Sequence, residues 1–298
     1  MQRERITDHI FVFRSSLYAQ VTAGVVLTGD GAVLIDTLLY PEESLRIRRF
    51  VEVGLGSKVS YVIITHFHAD HTTGTCFFPD AQVISHRLCA ETLATRGRES
   101  LLRMKASGPE FEAVELVLPN ITFEDEIKLE FGETGFRLRE SPGHSPDSII
   151  CLVEGEEILF AADTVMPIPY FVDGDSSALE RSLARLLDRE YENIVQGHGD
   201  IILRGEVSEK INSDLKYLHR LKEAVAQALD AGHEQIEDVI SLEECGKSQV
   251  LLNGLVKQLH QLNIRALVNE FRAPELEQDD DVVEGDEGRG EWLQKKLI

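Results

Sequence analysis

The stretch Tyr61-Val62-Ile63-Ile64-Thr65-His66-Phe67-His68-Ala69-Asp70-His71 decides how this chain is read. Its first half is a short apolar run rich in β-branched residues, the pattern of a buried strand. Its second half holds three imidazoles and one carboxylate within six positions. The ligand-type residues therefore begin where a strand ends. In an extended loop His66 and His68 share a face, because side chains alternate with period two. Asp70 and His71 lie past the bend and need not point at the same ion. The spacing can serve two adjacent metals, two ligands each. Neutral imidazole and carboxylate suit zinc, iron or manganese, and the lack of thiolates argues against a structural zinc cage.

Similar strand ends flank this one. Upstream, Ala32-Val33-Leu34-Ile35 reads as a buried strand that stops at Asp36, a carboxylate placed either to orient the metal loop or to cap a turn. Residues 10–13 and 24–28 are further strands, with Thr28-Gly29-Asp30-Gly31 as a turn. Pro41 to Val53 reads as a helix, with Pro early, acids in the first turn and arginines late. Residues 32–64 are then a strand–helix–strand crossover, which implies a parallel pair. Downstream, 81–84 is a strand and 86–105 a helix broken by Ser107-Gly108-Pro109. Residues 121–140 alternate and suggest antiparallel strands turning at Glu124-Asp125 and Gly132-Glu133. Ser141-Pro142-Gly143-His144 forms an abrupt loop after them. A hairpin over 149–153 and 158–160 ends near Asp163. Ser176 or Ser177 caps a helix over 176–189, whose buried stripe is Leu179, Leu183, Leu186 and Leu187. The strand 193–195 ends at Gln196-Gly197-His198-Gly199.

Four strand ends thus carry His66, His68, Asp70 and His71, then His144, Asp163 and His198. In layered α/β folds ligands bind beyond the carboxyl ends of strands, so these seven side chains converge on one rim. His9, His86, His219, His233 and His260 lack such a setting and read as surface or packing residues.

Taken together, THFHADHTTG (65–74), SPGHSPDS (141–148), ADT (162–164) and QGHG (196–199), with LIDT (34–37) upstream, resemble the motifs of metallo-β-lactamase-fold hydrolases, in that family's order. The resemblance runs over about residues 8–205. It implies an α/β fold, an αββα four-layer sandwich with metals at one edge. It also implies that His66, His68 and His144 hold a first ion and that Asp70, His71 and His198 hold a second. Asp163 would bridge the two, and Asp36 matches an acid behind the ligands. Asp147 stands where relatives often carry Gly, which puts that loop's backbone or local charge in question. The implied activity is a binuclear, most simply zinc-dependent, hydrolase. In it a metal-bound hydroxide, oriented by Asp70, attacks a small ester, thioester, lactone or amide. The rival on the same fold is a mononuclear iron oxidoreductase of the persulfide dioxygenase type, against which the complete second ligand set counts.

The totals narrow the classes further. The chain has 298 residues and a net charge of −22, from 52 acids and 30 bases. That balance argues against nucleic acid as a partner, since phosphate backbones need clustered Lys and Arg. No run approaches a membrane span, and Ile10–Phe13 is too short for a signal-peptide core, so a cytoplasmic protein is expected. Cys76, Cys89, Cys151 and Cys245 form no ligand pair and read as small buried hydrophobes. Residues 1–207 are the expected catalytic domain. Residues 208–272 read as a helical extension: Ile211, Leu215, Leu218, Val225 and Leu229 repeat at helical spacing before a cap at Gly232, and further helices cover about 234–243 and 248–270. It is similar to the C-terminal helices of the glyoxalase II-like, broad-specificity branch, which can roof the site or form a homodimer. Residues 273–298 are an acidic tail, mobile by composition, with Trp292 and Leu293 as docking residues. Lastly, Tyr170, in the stiff segment Met166-Pro167-Ile168-Pro169-Tyr170-Phe171, is placed to donate to a substrate oxyanion, with Phe171 as an apolar wall. The alternative is that both rings pack between the sandwich and the C-terminal helices.

Overall fold

The structure, a computed structural model, describes residues 1–276. The acidic stretch 278–290, Trp292 and Leu293 lie outside the described residues. A first sheet runs in chain order: β1 (Gln2–Arg5), β2 (Ile10–Arg14), β3 (Thr22–Thr28), β4 (Gly31–Ile35), β5 (Val59–Ile63), β6 (Gln82–His86) and β7 (Ile121–Phe123). β1 to β4 pair antiparallel and β4 to β7 pair parallel. The second sheet has the spatial order β13-β12-β11-β10-β9-β8. Its strands are β8 (Glu126–Phe131), β9 (Thr134–Glu140), β10 (Ile149–Val153), β11 (Ile158–Ala162), β12 (Asn193–Gln196) and β13 (Ile202–Leu203).

Strand periodicity sorts the core into layers. Ile10, Val12, Val33, Ile35 and Ile63 face Phe136, Leu138, Ile149, Cys151 and Phe160 between the sheets. The alternate residues Phe11, Phe13, Leu34 and Val62 point outward. There they meet Ile47 of α1 (Pro41–Arg49) and Leu93 of α3 (Arg87–Ser107). Ile150, Leu152 and Leu159 point outward from the second sheet, onto α4 (Ser176–Leu186), α5 (Val207–Asp230) and α7 (Val256–Leu276). Two sheets face to face with helices outside make the αββα sandwich. The C-terminal helices share one apolar cluster with its second sheet.

Several local expectations change. Ile121–Phe123 does not pair antiparallel with β8: it extends the first sheet parallel to β6, and the chain changes sheets at Glu124-Asp125. The helix starting at Pro41 gives way after Arg49 to a wider π-helical turn over Phe50–Gly54. Asp175, rather than Ser176 or Ser177, caps α4, its carboxylate accepting from Ala178 N at 2.5 Å. α4 ends at Leu186, so Leu187 lies off its buried stripe and is 39% exposed. The middle C-terminal helix shrinks to α6 (Ile236–Val239), followed by irregular chain up to Leu251. Cys76 is only half-buried, unlike the other cysteines. Among the described residues no helix is long and apolar enough to cross a membrane.

Candidate metal centre

The parallel core of each sheet aims its strand ends at one place. β5 delivers Thr65 to His68, and the short α2 (Ala69–Thr72) turns Asp70 and His71 back toward them. β11 ends in Ala162, at φ +44°, which swings Asp163 off the strand line. Asp36, at φ +58°, follows the last residue of β4. Such left-handed backbone is costly for residues with a side chain and persists where the surroundings fix it. Gly197 follows β12 so closely that a β-carbon there would lie 1.7 Å from Asp163 Oδ1. Gly143 lies against the backbone of Leu179, with φ +140°, so the loop bearing His144 can dock on the start of α4.

The ligating atoms of His66, His68, His144 and Asp163 form one group, and those of Asp70, His71 and His198 a second. Within each group the atoms all lie within 4.8 Å of one another. His68 Nδ1 is 3.0 Å from His66 Nε2 and 2.9 Å from His144 Nε2. Asp163 stands between the groups. Its Oδ2 is 3.4 Å from His144 Nε2 and 3.3 Å from His198 Nε2, and its Oδ1 is 3.3 Å from His71 Nε2. Asp70 Oδ2 is 3.4 Å from His198 Nε2 and 3.7 Å from His71 Nε2.

The outer nitrogen of every ring is held. His71 Nδ1 donates to Asp36 Oδ2 at 2.7 Å, His144 Nδ1 to the Tyr170 carbonyl at 2.8 Å, and His198 Nδ1 to the Ala19 carbonyl at 2.9 Å. His68 Nε2 donates to Asp173 Oδ2 at 3.0 Å. Thr65 Oγ1 spends its proton on Asp36 Oδ2 at 2.8 Å, so it accepts from His66 Nδ1 at 3.1 Å. Carbonyls and carboxylates only accept, so the ring protons sit outside and five inward nitrogens present lone pairs. Histidine ligands are oriented this way around a cation.

The electrostatics agree. Burial pushes His144 down to about 4 and His66 well below its usual range, so both rings are neutral. Burial also works against the charge on His71 and His198, yet Asp163 and Asp70 raise both, showing a field that favours positive charge. Among the described residues His71 Nε2 and Asp163 Oδ1 are buried with no hydrogen-bond partner. Orphaned buried groups facing one another are costly unless something binds them. Imidazole and carboxylate donors around such a gap fit a divalent ion of the zinc, iron or manganese kind.

The candidate ligands singled out in the sequence are thus brought together; Asp147, Phe171 and Tyr170 need qualification, and two residues are added. Asp147 is buried beside Ser145, whose Oγ donates to its Oδ1 at 2.6 Å, and burial raises its carboxyl. Phe171 packs in the apolar cluster with the C-terminal helices. Tyr170 belongs to the same cluster, 5% exposed, but its ring centroid is 5.8 Å from that of His144 and its hydroxyl has no partner among the described residues. Asp173 and Tyr18 are not legible as site residues in the sequence. Asp173 sits in a Val-Asp-Gly turn, and Tyr18 in a loop with no ligand spacing. Burial raises the Tyr18 phenol, followed by the charges of Asp70 and Asp163, which puts it beside the second group.

A family model described as the metallo-beta-lactamase superfamily matches residues 18–198. The chain is 26% identical to Thioesterase pkgB of Emericella nidulans over 60% of this chain and 46% of that relative, so it spans about half that protein's length. It is 23% identical to a hydroxyacylglutathione hydrolase of Shewanella sp. (strain ANA-3), covering 92% of this chain and 91% of that one. Among solved structures, the metallo-beta-lactamase from Pontibacter korlensis superposes with a TM-score of 0.60 at 19% identity, covering 71% of this chain and 97% of that chain. Motif order, ligand geometry and family model coincide on the same residues: the chain belongs to the metallo-beta-lactamase superfamily.

Proposed function

We propose that this chain is a hydrolase of small thioesters or related esters, lactones or amides, working with two divalent ions, most simply zinc among the zinc, iron and manganese that the donors admit. The observation that carries the reading is the pair of adjoining donor groups joined by Asp163. His66, His68 and His144 would hold one ion, Asp70, His71 and His198 the other, with Asp163 shared. Ions in such a pair supply an activated water and a Lewis-acid hold on the scissile oxygen. The chain's own residues do the rest. Asp36, Asp173 and the carbonyls of Tyr170 and Ala19 keep the rings in their ligand tautomers. The Asp70 side chain is 14% exposed against 4% for Asp163, so it is the carboxylate nearer to solvent. Its Oδ2 is placed to accept the proton of the attacking water and later pass it to the leaving group. Asp163 and Asp70, whose negative field raises His71 and His198, give the oxygen formed from the scissile carbonyl no stabilisation, so that charge would be balanced by the ions these residues hold.

Thioesters head the substrate classes because the relatives' names include a thioesterase and a hydroxyacylglutathione hydrolase. The complete second donor group has no use in a one-iron dioxygenase. The test is a substrate panel of thioesters, lactones, phosphodiesters and β-lactams with the zinc-loaded protein. Thioester turnover that a chelator abolishes and zinc restores supports the reading. A panel in which no acyl substrate turns over would contradict it.

A further inference from the structure

A second polar site lies outside the donor groups. A cavity of about 320 Å³ is lined by Lys210, Lys247, Ser213, Ser248, Gln196 and Gly199 among others. Two of its lining residues, Gly199 and Gln20, are joined by a hydrogen bond from the Gly199 N–H to the Gln20 carbonyl at 2.9 Å, and Gly199 follows His198 in the chain. Both ammonium groups are withdrawn from water: the side chains of Lys210 and Lys247 are 18% and 5% exposed. They share one carboxylate, that of Asp214, which is 1% exposed, at 2.5 and 2.7 Å. Asp200 also lines the cavity and is paired with Arg14, so the three cations Lys210, Lys247 and Arg14 against the two anions Asp214 and Asp200 leave a net charge of +1 there. Lys210 also donates to the Met166 carbonyl at 2.5 Å and Lys247 to Ser213 Oγ at 2.8 Å. An ammonium has three donors. Among the described residues, each lysine therefore keeps one N–H uncommitted. Burial, and then the neighbouring Lys247 charge, outweigh Asp214 and hold Lys210 down at about 8.

An unspent acceptor lies just behind the cavity lining. Gln196 is 7% exposed, and its Oε1 is buried with no hydrogen-bond partner among the described residues. Its Nε2 donates to the Asp200 carbonyl at 2.7 Å, so the amide cannot be turned round. A ligand that completes this site offers oxygens to two ammoniums and a hydroxyl to an amide oxygen. A carboxylate lacks the hydroxyl. A singly protonated phosphate has both.

We propose that this cavity is a phosphate-binding site, taking inorganic phosphate or the phosphate of a larger ligand between Lys210 and Lys247. The site stands apart from the hydrolase reading; only the identification of its ligand with a substrate group rests on it. The chain's net charge of −22 does not oppose it strongly. Surface charge is screened beyond about 8 Å at physiological salt, whereas the buried pair is not.

The test is calorimetric titration of the zinc-loaded full chain with inorganic phosphate, for wild type, Lys247→Gln and Lys247→Arg. One phosphate per chain is expected to bind to wild type, with affinity lost at least about tenfold in Lys247→Gln and kept in Lys247→Arg at unchanged zinc content. Equal binding by wild type and Lys247→Gln would place the phosphate on zinc and overturn the proposal, as would no binding to wild type. Amide resonances of wild type guard against a misfolded variant. Saturable shifts at Gly246 and Ser248 support the site, and shifts confined to the loops of His66, His144 and His198 contradict it. A kinetic arm separates the sources. If Lys247→Gln raises KM for a thioester whose carrier thiol bears a phosphate, but not for an unphosphorylated one, the substrate's phosphate is the ligand. If neither KM moves while phosphate binding is lost, the ligand is free phosphate. Without measurable turnover, the titration and the amide shifts still decide.

Discussion

His68 takes its orientation from a carboxylate 105 residues further along the chain. Asp173→Ala frees the outer nitrogen of that ring, which can then rotate or take the wrong tautomer. Loss of such a supporting acid costs metal affinity roughly 10–100-fold. Zinc titration against a competing chelator is expected to show that loss at one of two ions, with the other unchanged. Gly197 is a sharper case, because a methyl there would collide with Asp163 Oδ1 at 1.7 Å. The same methyl would lie 2.8 Å from the backbone carbonyl carbon of Ala162 at the end of β11, so Gly197→Ala is expected to lower the melting temperature as well as to purify with both ions depleted. Tyr170 tests the oxyanion idea. A buried hydroxyl with no partner costs about 1–3 kcal/mol. Tyr170→Phe is therefore expected to leave the melting temperature unlowered and, if the phenol meets the substrate oxygen, to cut turnover ~10²-fold at full metal content. Unchanged kcat would leave the phenol a packing residue. The candidate ligands are legible in the sequence because imidazoles and carboxylates crowd at strand ends. Asp173 is not, because one acid in a turn looks like any other turn acid.

At the scale of elements, the segment 167–173 and helix α7 act together. Asn263, fully buried on α7, donates to the Pro169 carbonyl at 2.8 Å and accepts from Phe171 N at 3.4 Å. It also donates to Tyr217 Oη at 3.1 Å, and Tyr217 meets His260 Nδ1 at 3.0 Å. The two clamped residues flank Tyr170, whose carbonyl orients His144. Asn263→Leu is expected to cost about 2–4 kcal/mol in urea unfolding, because buried backbone groups lose their partner. It is also expected to weaken the ion held by His66, His68 and His144, read by the same chelator competition. Destabilisation without that weakening would make the clamp purely structural. The helices themselves are readable from apolar spacing, and so are most strands. Their clamp is not: it depends on a long-range contact between a polar helix residue and a loop carbonyl, which leaves no periodic trace.

For the whole molecule, the alternation of inward and outward apolar residues is enough to dictate two sheets and outer helices. It misses the edges. β1, Gln2-Arg3-Glu4-Arg5, is exposed and charged or polar throughout, as edge strands that avoid aggregation are, and so carries no apolar signal. β13 has only two residues. The change of sheet at Glu124-Asp125 looks like a hairpin turn in the sequence, because a polar dipeptide does not say which strand the chain rejoins. The central claim, that one shared carboxylate joins two ions, is a property of the assembled rim. It is tested most directly by elemental analysis of purified wild type and Asp163→Asn, with turnover measured on the same samples. Two ions per chain in wild type are expected, with both depleted and turnover lost in the variant. One ion per fully active wild-type chain, or an Asp163→Asn protein that keeps both ions and its turnover, would contradict it.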